Sequence, residues 1–116
     1  MGYLDNSVEY GFGQLGSAYL ADTTAFTPPS GLVVVAITII DDIKFAALTP
    51  DTSGYTDGTT GAEGMAYFGT TTPVGRNGTN ADAVPTSDVF PRGITIYGRW
   101  TTVDLSQGAV ILYFGI

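Results

Sequence analysis

The chain contains no cysteine and no histidine, and only four of its 116 residues are basic. Without cysteine there is no disulfide framework, no thiolate nucleophile and no thiolate metal site, so stability has to come from packing or assembly. Without histidine the commonest general base and metal ligand near neutral pH is missing, which excludes serine–histidine and cysteine–histidine catalysis. Lys44, Arg76, Arg92 and Arg99 stand against eleven acidic residues, for a formal net charge of −7. A chain so poor in cations has little with which to neutralise phosphates, so neither nucleic acid nor an anionic membrane is expected as a partner. The opening Met-Gly-Tyr-Leu-Asp lacks a basic stretch followed by an apolar one, and Asn6 stands where a myristoylation motif wants Ser or Thr. No secretory signal or lipid anchor is therefore expected.

What is present is glycine (16 residues), proline (six) and much threonine, with few charges. That composition fits an all-β protein with many turns. The length suits one domain. The expected fold is an antiparallel β-sandwich or barrel-like, jelly-roll-like domain over residues 23–116, preceded by an extended N-terminal arm over residues 1–22.

The most decisive stretch is Leu32–Ile40, Leu-Val-Val-Val-Ala-Ile-Thr-Ile-Ile, set between Pro28-Pro29-Ser30-Gly31 and Asp41-Asp42. A β-branched run bounded by turn formers, far shorter than the ~20 residues that cross a bilayer as a helix, reads as a buried strand. Alternation places Leu32, Val34, Ala36 and Ile40 on one face and Val33, Val35, Ile37 and Ile39 on the other, with Thr38 the single polar interruption. Asp41-Asp42 reads as the solvated end of that strand, and Ile43–Leu48 as a further strand ended by Pro50.

Residues 51–64 and about 70–91 are polar, rich in Thr, Gly, Asp and Asn, and read as two surface loops flanking a short strand candidate, Met65–Phe68. In the last quarter Ile94, Ile96, Gly98 and Trp100 alternate with Thr95, Tyr97, Arg99 and Thr101, the period of a half-buried strand. Trp100 shares parity with the isoleucines and is expected in the core, leaving Tyr97 on the opposite face. Ser106-Gln107-Gly108 is expected to turn the chain into a return strand, Ala109–Phe114, that is again apolar on both faces. Strands apolar on both faces need cover, from the arm or from another chain.

The arm interleaves Tyr3, Leu4, Tyr10, Phe12 and Tyr19 with glycines, and a short strand is expected within Gln14–Leu20. These side chains either plug the domain's own core or dock on a neighbour. With Tyr97 they are the assembly candidates. Asp51, Asp57 and Glu63 lack the spacing of a calcium loop, and the adjacent Asp41 and Asp42 would point to opposite faces of a strand. Asn77-Gly78-Thr79 matches a glycosylation sequon and equally a turn. No catalytic residue, cofactor or metal site is expected, and a hydrolase built on carboxylates alone is a distant reading.

The stretches Thr24–Gly31 followed by Val33–Thr38, and Gly93–Thr101 followed by Gly108–Gly115, resemble small virion structural proteins of tailed phages, particularly marine and cyanobacterial ones. The resemblance covers about half the chain and carries no catalytic motif, and residues 51–64 have no counterpart in it. It implies a non-enzymatic capsid decoration or cement protein, made in the host cytoplasm and carried on the capsid surface of the virion. It would bind the major capsid protein as a small homo-oligomer, a trimer by preference. The alternative from the residues themselves is a carbohydrate-binding tail or fibre module that meets a host surface through the two polar loops and Tyr97.

Overall fold

Two long strands carry the fold in the computed structural model, which describes residues 15–51, 68–70 and 83–116. β1 spans Ser17–Leu20, β2 Val33–Pro50 and β3 Thr95–Gly115. All pairings among them are antiparallel, in the order β1-β3-β2, and the described residues contain no helix. The all-β reading therefore stands.

The 18 residues of β2 would extend about 60 Å as a straight strand, yet the longest dimension of the molecule is 42 Å. The strand has to bend, and it bends at Ile40-Asp41-Asp42, where three successive side chains are exposed. The register steps there as well, from Ile39↔Val110 and Asp41↔Ala109 to Lys44↔Gln107. Gly108 makes the step possible: its φ is +84°, and a Cβ on it would collide with the Asp42 carbonyl oxygen and the Ile43 side chain. Two sequence expectations are corrected by this corner. Asp41-Asp42 interrupts one strand rather than ending it, and Ser106-Gln107-Gly108 is a bulge inside a continuous β3 rather than a hairpin turn. Gly108 supplies the positive φ that a turn would need, but the residues on both sides of it stay paired to β2.

β3 lines both edges of β2. Its first residues pair as Thr95↔Thr38, Ile96↔Ile37 and Tyr97↔Ala36, while its last third pairs as Ile111↔Thr38, Leu112↔Ile37 and Tyr113↔Ala36. Val34 faces Trp100 on one side and Phe114 on the other, and Trp100 also opposes Pro50 at the far end of β2. The bend in β2 brings its two ends to the same tryptophan.

The apparent double apolarity of β2 has a local cause. Its fully buried side chains are Val34, Ile37, Ile39, Ile43, Phe45 and Leu48, and the register is irregular between these groups. The core side changes parity between Val34 and Ile37 and again between Phe45 and Leu48, both at register irregularities, so both alternating sets of the sequence feed one core. Cover by another chain is not needed to bury them. Trp100, Val103, Leu105, Val110 and Leu112 close the core from β3, each contributing roughly 1.5–3 kcal/mol through burial. Trp100 is in the core as its parity suggested, with its indole N–H donating to the Phe68 carbonyl at 2.8 Å.

β1 belongs to the sheet: Leu20 is buried, and Ser17–Leu20 pair with Val110–Tyr113. Residues 17–20, assigned on sequence to the arm, are thus an edge strand. Residue Phe26 follows with a bridge to Val103 and a ring stacked on Phe114 at 5.8 Å. The two polar stretches leave from one place. Thr70 N–H donates to the Leu48 carbonyl at 3.0 Å, and Val84 N–H donates to the Gly69 carbonyl at 2.8 Å, which ties the roots of both to the end of β2. Most of the loop and strand candidates between, residues 52–67 and 71–82, lie outside the described residues.

Candidate functional site

Four strand segments lie side by side where β3 flanks β2: β1, the last third of β3, the first third of β2 and the start of β3. Their register reads Ser17–Tyr113–Ala36–Tyr97 in one row and Tyr19–Ile111–Thr38–Thr95 in the next. Directly opposed residues share a face, and so do residues two apart on a strand. The eight side chains therefore make one surface. The intervening positions, Ala18, Leu112, Ile37 and Ile96, turn to the core.

None of the eight outer residues is acidic or basic. Tyr19 is 67% exposed and Tyr97 63%, Tyr113 and Ile111 are half-buried, and Ala36 is buried between the two tyrosine-bearing strands. Thr38 and Thr95 hydroxyls bond to each other at 2.9 Å. Ile40, 41% exposed, continues the β2 column two residues beyond Thr38. The surface is aromatic and hydroxyl-rich.

Among the described residues, β1 also has an outer edge with no strand beside it. Phe114 N–H donates to the Gly16 carbonyl at 3.0 Å, which makes Gly16 and Phe114 a hydrogen-bonded pair. Alternation then turns the main-chain groups of Ala18 and Leu20 toward β3 and those of Ser17 and Tyr19 away from it. Ser17 and Tyr19 are both exposed, and β1 is the last strand in the sheet order. An unpaired row of N–H and C=O groups is a template for another strand.

The acidic residues do other work. Asp51 is 3% exposed, and its carboxylate accepts from Arg99 Nη2 at 3.2 Å, while its N–H donates to the Arg99 carbonyl at 2.8 Å. Arg99 Nη1 also donates to the backbone oxygen of Ile116 at 2.6 Å. This cluster fastens the end of β2 to β3 beside the loop roots. Asp42 accepts from the Arg92 N–H at 2.9 Å and so holds the segment before β3 against the bend. Among the described residues no group of three or more acidic side chains is placed to hold a metal ion.

Of the six assembly candidates, Tyr19 and Tyr97 are on this one face, in adjoining rows and on opposite margins. Tyr3, Leu4, Tyr10 and Phe12 lie outside the described residues. Sequence reasoning missed Tyr113, Ile111, Thr95 and Ala36 as members of the same surface. A signal existed: Ile111 and Tyr113 have the parity opposite to Val110, Leu112 and Phe114. It could be read only once the register joined those residues to Ala36, Tyr97 and Tyr19. A comparison of the chain with protein-family models, with characterised proteins and with solved structures finds no match.

Proposed function

We propose that this protein is a non-enzymatic virion structural protein, a capsid decoration or cement protein that binds the major capsid protein and stabilises the shell as a small homo-oligomer. The virion assignment rests on the resemblance of residues 24–38 and 93–115 to such proteins. The observation that carries the assembly part is the outer edge of β1, which no strand flanks among the described residues. Ser17 and Tyr19 direct their main-chain donors and acceptors away from β3, and a strand from a neighbouring chain would satisfy them while extending the sheet. A trimer is the expected oligomer, located on the capsid surface, with neither nucleic acid nor membrane as partner.

Ser17→Pro tests the assembly part. Proline at this position removes only an outward N–H, which an edge strand tolerates, and Gly16 before it is conformationally permissive. The variant is expected to keep the wild-type melting temperature, lose the native oligomer mass and fail to protect capsid shells against heating. A wild-type protein that is monomeric and neither binds nor protects shells would refute the proposal. An unaffected Ser17→Pro oligomer would remove β1 as its contact.

A further inference from the structure

We draw no further inference here: the strongest candidate, the uncharged outer face that β1, the last third of β3, the first third of β2 and the start of β3 build around the exposed Tyr19, is a sheet surface for which nothing in the structure shows what covers it.

Discussion

The two sides of one four-stranded patch differ in what they are built to do. On the inner side Ile37, Leu112 and Val110 are fully buried, and Ala18 and Ile96 pack against them. On the outer side, one residue away along every strand, Tyr19 and Tyr97 are about two-thirds exposed, and apart from Ile111 the remaining positions are small or hydroxylic. Side-chain alternation alone makes this contrast possible, because a strand offers successive residues to opposite surfaces. The inner side uses aliphatic volume and gains stability from burial. The outer side forgoes much of that gain and leaves Tyr19 and Tyr97 largely exposed. Stability and recognition should therefore be separable by substitution within the same strands.

The largest effect should come from the inner side. Trp100→Ala removes a buried ring at the position paired with both Val34 and Pro50 and leaves the Phe68 carbonyl without its indole donor, so a loss of about 3–5 kcal/mol is expected from denaturant unfolding. A loss below about 1 kcal/mol would mean that the tryptophan does not close the core. Gly108→Ala should follow, at about 1–3 kcal/mol or more. The substitution places a Cβ at positive φ against the Asp42 carbonyl, and only a shift of the bend can relieve it. Wild-type stability in this variant would show that the corner adapts freely.

Arg99→Ala is expected to cost about 2–4 kcal/mol, since it withdraws the guanidinium from a carboxylate that remains buried. Partial exposure of the arginine places the effect at the lower end of that range. Rescue by Arg99→Lys should be incomplete, because one ammonium cannot reproduce contacts to both Asp51 and the Ile116 backbone oxygen. Thermal melts of the two variants decide this. Thr38→Val sharpens the comparison from the outer side. It breaks the hydroxyl pair with Thr95 on a partly exposed surface and should cost no more than about 1 kcal/mol. Smallest of all, Tyr97→Ala should change stability by less than about 0.5 kcal/mol. A large destabilisation there would make Tyr97 a structural residue and erase the distinction between the two sides.

Much of the architecture was legible in residue order. Val33–Ile40 and Ala109–Phe114 lie within strands, Pro50 ends β2, and Trp100 is buried while Tyr97 is exposed. Two local readings failed for one reason. Asp41-Asp42 and Ser106-Gln107-Gly108 have the composition of strand ends and turns, and both occur where a long strand bends. A charged pair or a positive-φ glycine marks a break in regularity, and local chemistry does not distinguish a chain that reverses there from one that kinks and continues. The partner decides: Asp41 pairs with Ala109 and Lys44 with Gln107, so each irregularity is matched across the ladder. The candidate site was legible only in pieces. Tyr19 and Tyr97 could be named as exposed contact residues, but they are 78 positions apart, and nothing local places them on one surface.

By itself the sequence determined the chemistry available and the class of fold. The absence of cysteine and histidine, the scarcity of cations and the β-branched runs are fixed in any conformation; they exclude disulfides and imidazole catalysis and leave only four basic side chains to meet an anion. Tertiary structure decided which side of each strand became interior. Parity within a strand is a local property, but its assignment to core or solvent can change at a bulge, as it does between Val34 and Ile37, and bulges are set by pairing between residues far apart in the chain. Thus Val34, Ile37 and Ile39, of mixed parity, share one core. By the same pairing Tyr19, Tyr113 and Tyr97, from three separate stretches, share one outer face.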